Sequence, residues 1–159
     1  MQIETLKELK NGYLVNGSIF APQDEQNSDY QAIQKWIKEG GDIEKYDALP
    51  EAKMKKIAEI KAARDIFMYS DVNYSSQSFI NSLISGNNLI AAIALAHDSI
   101  SWLDSSGKTV VLTISEAREL ASLMIEKRSA GYFKETNFQA EVAACKAIGE
   151  LSAININFQ

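Results

Sequence analysis

The most chemically suggestive residues lie at positions 97 to 99, where His97, Asp98 and Ser99 follow one another. Histidine, aspartate and serine together form the catalytic triad of many hydrolases. A triad requires three converging side chains, however, and adjacent residues direct their side chains apart. His97 is the single histidine of the sequence. We therefore interpret it as a helix-end residue and not as a catalytic base.

Two glycine-containing sites could suggest phosphate binding. Residues 106–109 read Ser-Gly-Lys-Thr, like the end of a P-loop, but the upstream glycine is missing. A P-loop also continues directly into a helix, whereas the β-prone run Val110-Val111-Leu112 follows here. Gly40-Gly41 matches no nucleotide-binding pattern either. We predict that residues 104–107 form the turn of a hairpin.

The sequence predicts no metal site, no cofactor and no catalytic residue. Asp24, Glu25 and Asp29 lack the glycine and the terminal glutamate of a calcium loop, and the single cysteine, Cys145, cannot form a cysteine-based zinc site. Pairs such as Asp42 and Glu44 resemble ordinary solvated carboxylates. An enzyme, for instance a small hydrolase of cell-surface polymers, remains an alternative that would need two acidic groups converging in a cleft.

Composition narrows the class of protein further. The 159 residues are 46% hydrophobic and 23% charged, which is typical of a globular chain, and the net charge of -5 disfavours binding to nucleic acid. The lysines between residues 53 and 64 alternate with acidic residues and indicate a solvated helix face. The longest apolar stretch, residues 89–96, is too short to span a membrane. Without a signal-like start, we expect a cytoplasmic protein that leaves the cell only as part of an assembly.

The first 45 residues predict a small unit with a hairpin and a short helix. Residues 13–15 and 18–20 are β-prone and flank Asn16-Gly17, a strong hairpin turn signal. Tyr30, Ile33, Trp36 and Ile37 then follow helical spacing. Ser28 or Asp29 can cap this helix, and Gly40-Gly41 can end it.

Residues 46–159 predict a helical domain with an inserted hairpin. A helix from about Pro50 to Met68 precedes a polar link at 71–77, and a second helix covers 78–96 with a weak point at 86–88. The runs 100–103 and 109–112 predict a hairpin that contains Trp102. Thr113 to Glu116 resembles a capping box.

A long C-terminal helix is expected after this hairpin. It would begin near Ser115 and extend for up to about 35 residues, with Gly131 as a soft spot and residues 155–159 as a frayed tail. Such a helix suggests a coiled-coil arm and a homo-oligomer. The predicted fold class is therefore α+β, mainly α.

Two segments together resemble proteins of phage tails. Residues 19–40 join Pro22, an acidic loop, an Asn-x-Asp-Tyr run ending at Tyr30, then Trp36 and Gly40, as near the start of phage tail-fibre assembly proteins. Residues 56–65, followed by 100–104 and 109–113, resemble an uncharacterised domain of phage and prophage tail-fibre regions that joins a helix, a Trp-containing hairpin and a long C-terminal helix. The resemblance covers about residues 19 to 150.

The resemblance implies a function but no catalytic residues. It implies a tail-fibre assembly chaperone that binds the fibre protein and assists its folding or trimerisation. The alternative is a minor structural tail protein or tail-fibre adaptor of the virion. In either role the aromatic and apolar residues on the two predicted helices would meet the partner. The candidate partner-binding residues are Tyr30, Trp36, Ile37, Met124, Phe133 and Phe138.

Overall fold

The computed structural model of the protein describes residues 2–159. Helices hold 52% of the chain and strands 19%. The predicted fold class, α+β and mainly α, is therefore confirmed. The chain divides after Glu51 into two compact units, and each is described by itself.

The N-terminal unit is a four-stranded sheet with one helix. Its elements are β1 (Leu6–Leu9), β2 (Gly12–Val15), β3 (Ile19–Pro22), α1 (Ser28–Lys38) and β4 (Ile43–Glu44). The strand order is β3-β2-β1-β4, and β4 pairs in parallel with β1. The predicted hairpin is β2–β3, whereas β1 and β4 were not predicted.

Local turn chemistry explains why this sheet forms. Asn16 and Gly17 adopt positive φ, as a tight hairpin turn requires. The Asn16 side-chain oxygen also accepts hydrogen bonds from the backbone N–H groups of Glu4 and Thr5, which holds the segment before β1 against the hairpin. Alternate strand residues and Ile33 of α1 fill the core, which comprises Leu6, Tyr13, Val15, Ala21 and Ile33.

The N-cap of helix α1 is not one of the two predicted residues. Asn27, not Ser28 or Asp29, is the N-cap, because its side chain accepts hydrogen bonds from the N–H groups of Asp29 and Tyr30. Gly40 takes a φ of +91° just beyond the helix. The predicted glycine stop is therefore correct.

The remaining chain is helical with two hairpins. Its elements are α2 (Leu49–Tyr69), β5 (Val72–Tyr74), β6 (Gln77–Phe79), α3 (Leu83–Leu95), β7 (Ser99–Leu103), β8 (Thr109–Thr113), α4 (Ile114–Ala144) and α5 (Ile148–Ala153). The predicted hairpin is β7–β8. The predicted capping box is also present, with Thr113 and Glu116 hydrogen-bonded to each other's backbone N–H groups.

Helix α3 begins later than the sequence predicted. Residues 77–79 form strand β6 instead of helix, and Ser75 and Ser76 make the β5–β6 turn with positive φ. Serine rarely adopts this conformation, so the turn left no clear signal. Ser82 caps the helix through the N–H of Ser85. Gly86 does not interrupt the helix. An added Cβ at this position would lie 2.4 Å from an Arg128 nitrogen, so glycine leaves room for that side chain of α4.

Helix α4 is shorter than predicted, and the tail is packed. The helix ends at Ala144, so Leu151 belongs to the separate helix α5. Phe158 is buried, with its ring centroid 5.5 Å from that of Phe138 and 5.9 Å from that of Phe67. The prediction of a frayed tail at 155–159 is therefore wrong at Phe158.

The second core lies where α3, α4 and both hairpins meet. Phe79, Leu89, Leu120 and Met124 are completely buried. The partly buried Trp102 and Val110 pack against them from the β7–β8 hairpin. Residues of α4 on this core therefore face their own unit and not the solvent.

Candidate protein-interaction surface

The residues first considered for chemistry lie at the surface. His97 and Asp98 are exposed in the connection between α3 and β7. Within residues 2–159, no three histidine, cysteine, aspartate or glutamate side chains gather as a metal site would require. No helix in the same range is long and apolar enough to cross a membrane.

The Ser-Gly-Lys-Thr run forms the hairpin turn that the sequence predicted. Asp104 accepts hydrogen bonds from the Ser106 hydroxyl and from the backbone N–H groups of Ser106 and Lys108. The hydroxyl of Ser106 and the N–H of Lys108 lower the pKa of Asp104 below its ordinary value. These contacts fix the chain reversal after β7.

The unusual surface of the molecule lies on α3. Its 13 residues include no charged side chain. An uncharged and largely apolar helix is normally well buried, yet α3 buries only Gly86 and Leu89 completely. Ile84 is 73% exposed and Leu95 84% exposed. Ile80, just before the helix, is 50% exposed. The core uses one side of α3 and leaves the other side open.

Hydrogen bonds between neighbouring elements fix the chain segments that precede α3. The buried side chain of Asn81 donates a hydrogen bond to the carbonyl of Met68 at the end of α2. The ammonium group of Lys127 on α4 donates to the carbonyls of Ser70 and Asp71. Burial lowers the pKa of Lys127. These bonds join the segment before α3 to the end of α2, and the residues after α2 to α4.

One flank of α3 forms an open groove with the β7–β8 hairpin. The groove has a volume of about 460 Å³, and none of its lining residues is charged. Ile80 and Ile84 form one wall, and the consecutive residues Ser101, Trp102 and Leu103 form the other. Leu103 is 58% exposed.

The other flank of α3 borders a second hollow, whose lining mixes apolar side chains with polar ones and the guanidinium of Arg128. Leu83 and Ile90 of α3 line it together with Ile125 and Tyr132 of α4, and its volume is about 320 Å³. Below Tyr132, the Arg64 guanidinium lies 5.3 Å from the ring centroid and pairs with the buried carboxylate of Glu135. Exposed apolar side chains therefore occur on the hairpin, on α3 and on α4, with polar side chains among them.

The predicted partner-binding residues of α1 lie in the N-terminal unit. Tyr30, Trp36 and Ile37 are partly buried and pack against the core of that unit. The Tyr30 ring lies 6.0 Å from the ring of Tyr13. These three side chains help hold α1 on the sheet, and their exposed parts remain candidates for contact.

The predicted residues of α4 occupy three different environments. Met124 is completely buried in the core, so it offers no surface to a partner and is withdrawn as a candidate. Phe138 is partly buried against Phe158. Phe133, 69% exposed, remains a surface candidate.

Residues of α3 and its start were missed, although the sequence contains their signal. Ile80, Ile84 and Leu95 belong to a segment that contains no charged residue. The helix predicted there has more apolar side chains than one buried face can accommodate. Whether all sides of α3 are covered depends on the tertiary packing.

Comparison with known proteins places the C-terminal unit in a family. The family model for a domain of unknown function (DUF4376) matches residues 51–157. The chain therefore belongs to the DUF4376 family. The matched range closely follows the unit that begins at Ala52. No curated protein and no solved structure matches the chain.

Proposed function

We propose that this protein binds another protein through the exposed apolar face of α3, and that it is an assembly chaperone for a phage tail-fibre protein. The observation that carries the proposal is the uncharged helix α3 with Ile84 and Leu95 exposed. Contiguous exposed apolar surface is typical of sites that another protein covers. The resemblance of residues 19–150 to tail-fibre assembly proteins supports the choice of partner.

The chemistry of the surface suits a folding partner. Unassembled fibre subunits expose apolar surface and unpaired strand edges, both of which promote aggregation. A fixed, uncharged face can cover such surface until the subunits trimerise. The net charge of -5 on this chain would add to the repulsion between complexes wherever the partner is not basic enough to neutralise it.

A minor structural role in the virion tail is the second candidate. It is favoured by the extent of the exposed apolar side chains, which reach from Val111 on the hairpin to Phe133 on α4. Permanent interfaces are larger and more apolar than transient ones. A stoichiometric amount of this protein in purified particles, measured by mass spectrometry, would support the structural role over the chaperone role.

The burial of the apolar stripe of α4 weakens the case for a coiled-coil homo-oligomer. The apolar stripe of α4 that suggested it includes Leu120, Ala121 and Met124, and these residues are buried within their own unit. Self-association would therefore need exposed apolar residues outside this stripe, such as those of α3.

Co-expression with the fibre protein tests the chaperone role. We expect wild-type protein to increase the yield of soluble fibre trimer and Ile84→Lys to abolish most of the increase. Met54→Lys is the matched control, because Met54 is 66% exposed on α2 and lines neither groove beside α3. An equal trimer yield with and without the wild-type protein would contradict the proposal.

A further inference from the structure

Strand β7 has an unpaired backbone edge from Ser99 to Leu103, which ends where the Ser105 N–H donates to the Ser78 carbonyl of β6. It pairs with β8 in a two-stranded sheet, and within residues 2–159 no third strand joins that sheet. The hydrogen bonds from Asp104 N–H to the Lys108 carbonyl and from Ile114 N–H to the Asp98 carbonyl fix the alternation of the ladder. Even-numbered residues of β7 therefore bond to β8, since hydrogen-bonded and non-hydrogen-bonded pairs alternate in an antiparallel hairpin.

The odd-numbered residues direct their backbone groups the other way. Ser99, Ser101 and Leu103 occupy the non-hydrogen-bonded positions, opposite Thr113, Val111 and Thr109. Their N–H and C=O groups point away from β8, toward the free edge. An edge of this kind is a template for another strand.

This free edge opens onto the groove beside α3. Ser101, Trp102 and Leu103 all line the groove. Alternate side chains of a strand point to opposite faces, so three consecutive residues can share one wall only along the backbone edge. The opposite wall is formed by Ile80 and Ile84. The groove thus combines a row of backbone donors and acceptors with apolar side chains.

We propose that β7 pairs through this edge with an extended, uncharged segment of the partner protein, which adds a third strand to the β7–β8 hairpin. The inference rests on the proposed protein-binding function and names the part of the partner that is bound. Backbone pairing would provide affinity, and apolar side chains on alternate partner residues would contact Ile80 and Ile84.

The uncharged lining of the groove favours an uncharged occupant. The lining of the groove contains no ionisable side chain, although 23% of the chain is charged. A charged partner residue would lose hydration there without gaining an ion pair, which disfavours its binding. If a second copy of this chain paired through the same edge, its own α3 would lie next to its β7. Both grooves would then have to accommodate a helix as well as a strand. A free extended segment has no such flank.

Two proline substitutions form a matched pair for the test. Ser101→Pro removes an N–H from the free edge of β7, whereas Val111→Pro removes one from the opposite edge, on β8. Ser101 and Val111 face each other in the register, and neither substitution removes a ladder hydrogen bond between the two strands. Edge positions of this kind tolerate proline. Thermal unfolding should therefore shift similarly in both variants.

The probe is a capped peptide of about eight alternating threonine and valine residues, within the usual length of a strand. Titration is followed by amide hydrogen exchange on the full chain. We expect the peptide to slow exchange at Ser101 and Leu103, while Trp102, already paired with β8, changes little. Binding should weaken about tenfold or more in Ser101→Pro and remain nearly unchanged in Val111→Pro. N-methylation of the alternate peptide residues whose N–H groups face β7 should also abolish binding.

The outcomes separate this inference from the proposed function. If the fibre protein binds wild type, Ser101→Pro and Val111→Pro equally, pairing at β7 is overturned and the chaperone proposal stands. If the fibre protein does not bind but the peptide protects Ser101 and Leu103, the chaperone proposal fails and pairing at β7 is supported. Protection of these amides that grows with protein concentration, without peptide, would identify a second copy as the occupant and overturn the inference.

Discussion

Helices α3 and α4 pack against each other, yet they use their apolar residues differently. The 31-residue α4 carries many charged side chains and places Leu120, Met124 and Val142 in the interior. The 13-residue α3 carries no charge and still exposes Ile84 and Leu95. The longer helix buries a full apolar stripe and exposes some side chains such as Phe133, whereas the shorter one buries only Gly86 and Leu89.

This difference is the basis for proposing an interaction surface on α3. Length suggested that the C-terminal helix would extend beyond the globule and meet a partner. Contacts with the core instead occupy its apolar stripe, and α3 presents apolar side chains that no described residue covers completely. An excess of apolar side chains over available core is therefore the better indicator of a binding surface in this protein.

The largest expected effect comes from truncating one leucine on each helix. Leu120→Ala should destabilise the protein by roughly 2–5 kcal/mol, because it leaves a cavity in the core. Leu95→Ala should change stability by about 0.5 kcal/mol or less, because the side chain is 84% exposed. Urea unfolding measures both. Similar losses in the two variants would remove the distinction between the helices.

A pair of glycine substitutions sharpens the account of α4. An added Cβ at Gly131 would lie 2.3 Å from Met68 Cγ, whereas a Cβ at Gly149 of α5 would meet nothing. Gly131→Ala should therefore cost about 1 kcal/mol net, after an overpacking penalty is offset by better helix propensity. Gly149→Ala should be neutral or stabilising. A stabilised Gly131→Ala variant would mean that Gly131 is the soft spot that the sequence suggested.

The two helices should respond alike at their N-terminal caps. Thr113 caps α4 and Ser82 caps α3, each through a side-chain oxygen that accepts a backbone N–H. Thr113→Ala and Ser82→Ala should each lower the free energy of unfolding by about 1 kcal/mol. Chemical denaturation of both variants tests this expectation. A negligible loss for Ser82→Ala alone would indicate that α3 is held only by its packing.

The smallest effect concerns pH and the cap of α4. Hydrogen bonds from the backbone and hydroxyl of Thr113 lower the pKa of Glu116 below its ordinary value of 4.5. A lowered folded-state pKa contributes stability above the ordinary value and loses it as the pH falls through the folded pKa. The stability difference between wild type and Glu116→Gln should therefore decrease as the pH falls below 4.5. A difference that stays constant from neutral pH into this acidic range would contradict the assignment.

Sequence reasoning worked where local chemistry determines the structure. Asn16-Gly17 predicted a tight hairpin turn, and Thr113 with Glu116 predicted the start of α4, because both signals act over only a few residues. Strand β6 was missed because it is three residues long and follows a serine turn with positive φ. Phe158 is buried by contacts with Phe67 and Phe138, which are distant in sequence.

The interaction surface was harder to predict for the same physical reason. Periodicity placed Met124 on an apolar stripe but did not show whether the stripe faced a core or a partner. The absence of charge in α3 was visible in the sequence, but the exposure of Ile84 depends on how α4 and β7 pack around the helix. Burial arises from the whole unit and is not a property of one segment.

Methyl cross-saturation by NMR tests the central claim most directly, because exposed isoleucines are distributed over several surfaces of the C-terminal unit. With unlabelled fibre protein as the source of saturation, we predict strong signal loss for the methyl groups of Ile80 and Ile84. Ile148, 48% exposed on α5, should keep its intensity. A bound fibre protein that reduced the Ile148 signal and left Ile80 and Ile84 unchanged would contradict the assignment of α3 as the binding surface.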